Sequence, residues 1–354
     1  MSVYLHGLST TLPPHCLEQR DVESRATDLF AGKYPQFARL SRTFRTSGVE
    51  RRYSVVPLEW FMVDHGWNSR SDAYLAGAKA LFIQAVDAAL QDAGWSAGEV
   101  DCVVTVSSTG IATPTLDAQV FTQVGFRRDI MRVPVFGLGC AGGVTGLSIA
   151  QALSSAKPNA KVLLVVVEAC SLSFRADRLQ KADIIAAVLF GDGAAAACLS
   201  GAKPNTRQVV TLGRGHQTLW PDTLNIMGWD VDDTGLGVVF DRSIPEFVRT
   251  EFAQATTGAL HATGLSHQEI DRYVCHPGGA KVVAAIEEAL LLPALDLQAE
   301  RDVLRDYGNM SAPTVLFVLK QVLSTGARGQ MMACALGPGF TASYLPLYVG
   351  EGTR

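Results

Sequence analysis

The chain has 354 residues, 48% of them hydrophobic and 18% charged, and 30 basic against 34 acidic side chains give a net charge of −4. That length allows one large domain or two ordinary ones with a substantial core. Because no block of like charge occurs, a nucleic-acid-binding surface is not indicated. Uninterrupted apolar runs fall far short of the roughly 20 residues of a membrane span, and the first residues lack the pattern of a secretory signal.

Cysteine usage indicates a reducing compartment. The seven cysteines are odd in number and include no C-x-x-C pair. This pattern favours neither a disulfide framework nor a zinc ribbon. We therefore expect a cytoplasmic globular protein without a metal site.

An arginine cluster is the main feature of the first 70 residues, which show no regular apolar pattern. Its members are Arg39, Arg42, Arg45, Arg51 and Arg52. They form either a solvated basic face or a site that partly neutralises an anionic ligand such as a nucleotide diphosphate.

The chain beyond the cluster alternates between helical and extended apolar patterns. A helix is predicted from Asp72 to Ala93, with Gly94 as its C-cap, and another from Ala141 to Ser155. Strands are predicted at Val100–Val106, Val133–Phe136, Val162–Val167 and Ile184–Leu189. Apolar strands without polar alternation are typical of a sheet covered by helices on both faces.

Three segments of the chain recur in the same order. The matching pairs are residues 89–104 with 259–274, 139–147 with 308–316, and 191–199 with 337–345. In the first pair, seven of eight compared positions are identical and the eighth changes Val100 to Ile270. Ordered repeats at nearly constant spacing indicate an internal duplication. We expect a twofold-repeated α/β chain with halves at residues 1–205 and 206–354.

The duplication makes Cys140 and Asn309 equivalent, since each follows a glycine and opens a predicted helix. The two halves can bring these helix starts together. A cysteine at a helix N-terminus lies where the dipole favours thiolate, so we expect its pKa to lie below the usual value of about 8.5. Neighbouring glycines would leave backbone N–H groups free for an oxyanion. The alternative is a small buried cysteine without a chemical role.

His276 ends the predicted strand that the duplication pairs with Val100–Val106, and a Pro-Gly-Gly sequence turns the chain directly after it. Ligand sites in open α/β folds collect at such strand ends. A core histidine bonded to a carbonyl group would fit the same position. Together, Cys140, His276 and Asn309 could form an activated thiolate with a polarising pair.

Five motifs resemble those of the type III polyketide synthases, the chalcone-synthase-like enzymes. They are Gly139-Cys140-Ala141-Gly142-Gly143, Leu189-Phe190-Gly191-Asp192-Gly193-Ala194-Ala195-Ala196, His276-Pro277-Gly278-Gly279, Gly308-Asn309-Met310-Ser311 and Gly337-Pro338-Gly339-Phe340. Their order and spacing agree with that family from about residue 40 onward. The resemblance implies an α/β thiolase fold, which is an internally duplicated five-layer α-β-α-β-α architecture, and a homodimer.

The resemblance also implies the chemistry. Cys140 would accept a starter acyl group from an acyl-CoA, and His276 and Asn309 would stabilise the enolate that forms when malonyl-CoA loses carbon dioxide. Iterative decarboxylative Claisen condensation and cyclisation would follow, with no cofactor besides the coenzyme A thioester substrates. The implied substrate-binding positions are Phe190, Ser173, Cys170, Thr113, Trp229, Val238, Ser311, Gly337, Gly339 and Phe340. The implied coenzyme A contacts are Arg45, Arg51, Arg52, Gly278 and Gly279.

Some of these positions differ from those of the plant enzymes. Val238 occupies the position of the family's second gatekeeper phenylalanine. Cys170 and Ser173 occupy positions where plant chalcone synthases have threonine. Trp229 fills a further cavity position, and Thr113 corresponds to a residue that reaches into the partner subunit's cavity. These features resemble the bacterial branch that starts from fatty acyl-CoA and forms alkylpyrones or alkylresorcinols.

Three other functions share part of this pattern. A single-condensation ketoacyl-carrier-protein synthase shares the three residues, but the Pro-Gly-Gly after His276 and the Gly-Pro-Gly-Phe loop argue against it. A Cys-His-Asn hydrolase would need a protease-like segment around Cys140, which the sequence lacks. A catalytically silent partner protein is disfavoured because all three residues are present.

Overall fold

The structure, a computed structural model, describes residues 2–157, 159–175, 177–178 and 180–352. Its strands are β1 (Val3–Thr11), β2 (His15–Glu18), β3 (Arg51–Ser54), β4 (Cys102–Val106), β5 (Met131–Val135), β6 (Val162–Ala169), β7 (Asp192–Ser200), β8 (Gln208–Leu212), β9 (His216–Leu219), β10 (Met227–Val231), β11 (Leu236–Phe240), β12 (Arg272–Cys275), β13 (Gly329–Gly337) and β14 (Thr341–Glu351). Its α-helices are α1 (Gln19–Phe30), α2 (Phe37–Leu40), α3 (Arg42–Thr46), α4 (Trp67–Ala93), α5 (Leu116–Gln119), α6 (Phe121–Val124), α7 (Gly142–Ala156), α8 (Lys181–Leu189), α9 (Ile244–Thr263), α10 (Ala280–Ala289), α11 (Gln298–Tyr307) and α12 (Thr314–Ser324). Short 3-10 turns occur at Leu58–Met62, Ala97–Glu99, Gly139–Ala141, Cys170–Ser173 and His267–Glu269.

One mixed ten-stranded sheet joins the two halves of the chain. Its strand order is β12–β13–β14–β8–β1–β7–β6–β4–β5, and β9 pairs with β14. The halves meet where β1 pairs antiparallel with β7 on one side and with β8 on the other. Two strand pairs, β2–β3 and β10–β11, lie outside this sheet.

The apolar core of the described residues has four clusters, of which three lie against the two faces of the main sheet and the fourth lies between α1, α3 and α8. Val104 of β4 packs in a central core with α7 and α12, whereas Val103 packs on the opposite face with α4. In the second half, Met331 of β13 faces the central core and Met332 faces α9 and α10. Because successive strand residues point to opposite faces, the β4 half and the β13 half of this one sheet both face α7 and α12, with α4 outside the first half and α9 and α10 outside the second. The layers therefore run α-β-α-β-α. The predicted thiolase fold is confirmed.

The internal duplication extends to local backbone structure. Gly94 and Gly264 end α4 and α9 in the left-handed conformation, with φ of 66° and 75°. Ser96 and Ser266 then each begin a capping box with the glutamate three residues later. Equivalent sequence signals thus produce equivalent helix ends and strand starts in the two halves.

One predicted element has the wrong type. The segment Ile184–Leu189 belongs to helix α8 rather than to a strand. A short apolar run fits a buried helix as well as a strand, so periodicity alone does not separate them.

Helix α4 is the one helix among the described residues that is long and apolar enough to cross a membrane. Its most apolar window has a mean hydropathy of 1.3, and 44% of that window is buried. The helix packs against β1, β6 and β7. In this fold it therefore serves as the outer helix over the first half of the sheet.

Candidate active site

Cys140 lies in the 3-10 turn that leads into α7, where a glycine-rich chain reverses direction. Gly139 before it has a left-handed φ of 46°. The Ser108 hydroxyl oxygen accepts hydrogen bonds from the backbone N–H groups of Gly137 at 3.1 Å and Gly139 at 3.4 Å. These bonds fix the turn, and Cys140 remains 7% exposed at the wall of a cavity.

Asn309 lies across from Cys140, as the duplication suggested. Its Oδ1 is 4.0 Å from the Cys140 Sγ and accepts a 2.8 Å hydrogen bond from the Ser311 backbone N–H. Its Nδ2 donates a 3.2 Å hydrogen bond to the Gly278 carbonyl oxygen. An amide held in this way has a second N–H that can donate to a ligand.

His276 follows β12 and is buried, with its backbone N–H donating to the Cys334 carbonyl oxygen at 2.9 Å. Its loop reaches the Cys140–Asn309 pair through the bond from Asn309 to Gly278. Neither ring nitrogen has a hydrogen-bond partner among the described residues. A buried polar atom without a partner is costly, so these nitrogens are good candidates for contact with a reacting group.

Burial favours the uncharged forms of the Cys140 thiol and of the His276 imidazole. It raises the pKa of the Cys140 thiol to about 11, against the opposing effect of a hydrogen bond from Ser311. It lowers the pKa of His276 to about 3. The expected lowering of the Cys140 pKa is therefore contradicted, because desolvation at the wall of the cavity outweighs the effect of the helix start.

A raised thiol pKa predicts a specific pH profile for alkylation of Cys140. Below the pKa the thiolate fraction grows about tenfold per pH unit. We therefore expect inactivation by iodoacetamide to accelerate without a plateau from about pH 7 to 9. Mass spectrometry of the Cys140 peptide separates this reaction from alkylation of the exposed Cys16. A plateau in this range would show instead that the resting site holds a thiolate.

The cavity at Cys140 has a volume of about 380 Å³ and a mostly apolar wall. Five predicted substrate positions line it: Cys170, Phe190, Trp229, Val238 and Ser311. Pro338 of the predicted Gly337–Phe340 loop also lines it. Nine further lining residues were not predicted from the sequence: Ser108, Ile111, Phe136, Met227, Gly228, Val231, Leu236, Val239 and Phe240. No lining residue carries a formal charge.

The Gly337–Phe340 loop contributes less directly than expected. A Cβ on Gly337 would lie 2.4 Å from the Leu138 carbonyl oxygen, so this glycine allows close packing against the Cys140 turn. Phe340 is fully buried and packs against Trp220 and Phe247, with ring centroids 6.0 and 5.4 Å away. The prediction that Phe340 lines the cavity is wrong, because its ring points into the core beneath α9. Gly339 does not line the cavity either, whereas its neighbour Pro338 does.

A narrow apolar channel of about 50 Å³ lies beyond Cys170 and Phe190, which line both it and the cavity. Ser173 lines this channel rather than the cavity and donates a 2.7 Å hydrogen bond to the Cys170 carbonyl oxygen. The remaining channel residues come from strands β2 and β3, from two 3-10 turns and their flanks, and from α1 and α8: Leu17, Val22, Arg25, Ala26, Leu29, Arg52, Leu58, Phe61, Met62, Ser171, Phe174, Ala186 and Ala187. The channel thus leads from the Cys140 cavity toward α1.

A third cavity, of about 590 Å³, opens at Gly278 and Gly279 and has a basic rim. Its cationic side chains are Arg39, Arg42, Lys181, Arg242 and Lys281, and all five are exposed. One acidic side chain, Asp241, also lines it. Excess positive charge beside the His276 loop suits a phosphorylated ligand.

Of the three arginines predicted to contact coenzyme A, none lines this basic cavity. Arg52 is buried and donates to Gln19 Oε1 at 2.9 Å and to the carbonyl oxygens of Val188 and Ala187, so it is not available to a phosphate. Arg51 pairs with Asp306 at 2.9 Å. The prediction for Arg52 is wrong, because its side chain points into the core and ties β3 to α8.

Arg45 pairs with Glu23 at 3.2 Å and is otherwise solvated. The members of the arginine cluster that do line the basic cavity are Arg39 and Arg42. Thr113 is exposed and lines none of the cavities described above. Its predicted role at a partner subunit stays a prediction.

Glu168 is a buried residue near the site that sequence analysis missed. It is the penultimate residue of β6, and its carboxylate accepts hydrogen bonds from the Ser108 backbone N–H and the Thr109 hydroxyl, at 2.9 and 2.7 Å. Burial raises its pKa to about 8. The signal available in the sequence was a glutamate directly after the predicted apolar strand Val162–Val167. Among the described residues, no three His, Cys, Asp or Glu side chains are grouped to hold a metal ion.

Comparison with known families matches nearly the whole chain. Residues 3–204 match the N-terminal domain model of the chalcone and stilbene synthases, and residues 211–346 match their C-terminal domain model. A 1,3,6,8-tetrahydroxynaphthalene synthase of Streptomyces peucetius subsp. caesius is 37% identical over 350 residues, covering 96% of this chain and 92% of that protein. A 3,5-dihydroxyphenylacetyl-CoA synthase of Streptomyces toyocaensis is 29% identical over 312 residues, covering 84% and 79%.

Solved structures show the same fold. The 1,3,6,8-tetrahydroxynaphthalene synthase of Streptomyces coelicolor A3(2), described as a bacterial type III polyketide synthase, superposes with a TM-score of 0.92 at 27% identity. The match covers 99% of this chain and 100% of that chain. The similarity therefore includes both halves and the sheet between them.

Proposed function

Because this chain belongs to the chalcone and stilbene synthase family and is a type III polyketide synthase, we propose that it extends an apolar acyl-CoA starter. It condenses malonyl-CoA iteratively onto this starter and cyclises the chain to an alkylpyrone or alkylresorcinol. The observation that carries this proposal is the uncharged cavity at Cys140, which adjoins an apolar channel toward α1. An aliphatic chain suits these mostly apolar walls, whereas a carboxylate in the Cys140 cavity would lose its hydration without gaining a charged partner.

The three site residues divide the chemistry among them. Cys140 attacks the starter thioester as its proton passes to His276, and coenzyme A leaves as the thiol with that proton. Asn309 Nδ2 donates to the thioester oxygen of malonyl-CoA, where negative charge develops as carbon dioxide departs. The enolate carbon then attacks the acyl carbonyl, and Cys140 is released to accept the lengthened chain. The residues need no cofactor for these steps beyond the coenzyme A thioesters.

The basic cavity beside Gly278 is the proposed entrance for coenzyme A. Lys281 and Arg42 lie on its rim, where guanidinium and ammonium groups can meet phosphates. For the double variant Arg42→Ala/Lys281→Ala we expect KM for malonyl-CoA to rise about tenfold with kcat little changed, since uniform binding is lost. Arg45→Ala is the matched control, because Arg45 pairs with Glu23 outside this cavity. An unchanged KM in the double variant would move the entrance elsewhere.

A homodimer is the proposed assembly. The edge strand β5 begins at Met131, which is 53% exposed, and is followed by Phe136, which is 59% exposed. Phe136 and Ile111, which is 57% exposed, line the Cys140 cavity. Exposed apolar groups at an edge strand suit an interaction surface, and Thr113 is two residues from Ile111 in the chain. We expect light scattering to give twice the chain mass, and Phe136→Lys to give monomers with reduced activity. A wild-type monomer with full activity would refute this assembly. The proposed location of the enzyme is the cytoplasm.

A malonyl-started synthesis is the second candidate, favoured by the 37% identity to a tetrahydroxynaphthalene synthase. In that case the enzyme would need no acyl-CoA except malonyl-CoA. A single-condensation synthase of the ketoacyl-carrier-protein type is the remaining alternative, and it would depend on a carrier protein.

One experiment separates these candidates. Purified protein is incubated with malonyl-CoA alone and with starters from acetyl-CoA and benzoyl-CoA to long-chain acyl-CoA, and the products are identified by mass spectrometry. We expect pyrones or resorcinols that carry the alkyl chain of the fatty starters. A naphthalene from malonyl-CoA alone would favour the second candidate. Products that appear only with a malonyl carrier protein would refute the iterative mechanism.

A further inference from the structure

The β10–β11 hairpin forms much of the wall around Cys140 but does not belong to the main sheet. Eight of the eighteen residues that line the cavity come from this hairpin. Its strands pair only with each other, from Met227 with Phe240 to Val231 with Leu236. Because no ladder of the main sheet holds it, side-chain contacts must set its distance from Cys140.

Four hydrogen bonds between described residues join the hairpin to the rest of the protein. Two of them come from Trp67, whose Nε1 donates to the Asp232 carbonyl oxygen at 2.7 Å, and from Arg178, whose Nη1 donates to Asp230 Oδ2 at 3.2 Å.

The other two hydrogen bonds lie at opposite ends of the hairpin. Near the cavity, Trp229 Nε1 donates a 2.7 Å hydrogen bond to the Ser108 carbonyl oxygen, on the segment that also fixes the Cys140 turn. At the tip, Arg175 Nη1 donates a 2.9 Å hydrogen bond to Asp232 Oδ1. The same oxygen accepts hydrogen bonds from the backbone N–H groups of Thr234 and Gly235, so the ion pair is connected directly to the backbone of the hairpin turn.

Arg175 is well suited to act as a rigid link. Its side chain is only 2% exposed, whereas those of its two acidic partners are about 40% exposed. Its other nitrogens hold Asp177 in a bidentate pair at 2.7 and 2.6 Å. Asp177 lies two residues from Arg175 in the same segment, so the bond to Asp232 is the one that crosses to the hairpin. Through this bond Arg175 ties the hairpin turn to the chain segment that follows Ser173.

We propose that Arg175 is a positioning residue that fixes the β10–β11 hairpin and so sets the width of the cavity in which the acyl chain grows. It acts through Asp232 and touches no reacting atom. Loss of the link leaves the hairpin turn held by Trp67 and Arg178 without its ion pair to Asp232, and the wall that carries Val238 is less firmly placed opposite Cys140. A growing chain is then less well confined, and shortened products leave before the final condensation.

Access to Cys140 tests this proposal without requiring turnover. Alkylation rates by a bulky reagent, N-(1-pyrenyl)maleimide, and a small one, iodoacetamide, are compared at the Cys140 peptide by mass spectrometry. In Arg175→Met and in Asp232→Asn we expect the ratio of bulky to small to rise about tenfold, since displacements near 1 Å alter reactivity on that scale or more. Asp232→Asn provides a second variant if Arg175→Met does not fold.

Asp177→Asn is the matched control, because it removes a partner of Arg175 that does not belong to the hairpin. A merely structural role would make this variant resemble the other two, whereas a positioning role leaves its alkylation ratio near the wild-type value. Arg175→Lys should restore part of the effect. An unchanged ratio in folded Arg175→Met and Asp232→Asn would overturn the proposal.

Product length gives a second measurement that rests on the proposed function. With the starter that the wild type accepts, we expect Arg175→Met to raise the ratio of truncated to full-length products about tenfold. Wild type that makes no polyketide would refute the proposed function alone, because the alkylation ratio would still decide the role of Arg175.

Discussion

Cys140→Ala is expected to reduce polyketide formation at least a thousandfold, on the order of losses seen when a catalytic nucleophile is removed. The reason is geometric, since Cys140 is the thiol that lies 4.0 Å from the Asn309 side chain. Without it no acyl-enzyme forms, and the condensation has no electrophile in place. The measurement is product formation from malonyl-CoA and the preferred starter, followed by mass spectrometry.

The same cavity supplies the matched control. Cys170 is a second buried cysteine in its wall. Burial, together with the charge of Glu168, raises the pKa of its thiol well above the usual value. Cys170→Ala removes one thiol from the cavity and should retain polyketide formation within about tenfold, as a small change in packing. Loss of activity in Cys170→Ala with activity retained in Cys140→Ala would reverse the assignment of the nucleophile.

The pairing of Cys140 with Asn309 could be predicted because the duplication preserves both local and global structure. Each residue follows a glycine at the start of a repeated helix, and the halves pack with those helices, α7 and α12, in one central layer. Equivalent places in two halves that share a layer come close together. For this reason the repeat in the sequence predicted the contact between Cys140 and Asn309.

The direction of individual side chains was not predictable in the same way. Arg51 and Arg52 are adjacent on β3, so their side chains point to opposite faces, and only Arg52 is buried. Which face would be covered depends on α8, whose own segment was mistaken for a strand. Phe340 shows the same difficulty, because a phenylalanine after a glycine loop suits either a cavity wall or a core. Which arginines reach the rim of the basic cavity likewise depends on how the short helices α2 and α3 pack.

The width of a cavity also could not be predicted from the sequence pattern. The channel beyond Cys170 exists because Ala26 of α1 and Ala186 of α8 leave space that larger side chains would fill. Both alanines are 4% exposed and would ordinarily be assigned to a helix core. Only the packing of α1 against α8 shows that the space between them adjoins the Cys140 cavity.

Filling this channel is expected to change which starters the enzyme accepts. In Ala26→Phe the added ring occupies the space in which the distal part of an aliphatic starter would lie. Each methylene that is buried contributes about 0.8 kcal/mol, so exclusion of three or four methylenes lowers kcat/KM for a long-chain starter roughly a hundredfold. Acetyl-CoA and malonyl-CoA do not reach the channel, and their turnover should change little. The measurement is kcat/KM across a series of acyl-CoA chain lengths.

Ala31→Phe is the control for this substitution, because Ala31 is exposed at the end of the same helix and adds the same ring outside the channel. Thermal unfolding of both variants shows whether overpacking, which typically costs about 1–3 kcal/mol, has disturbed the fold. If folded Ala26→Phe loses activity equally with short and long starters, the channel does not hold the acyl chain. If it loses only the long starters, the walls between α1 and α8 set the upper limit on starter length, and widening them by Leu29→Ala should extend that limit.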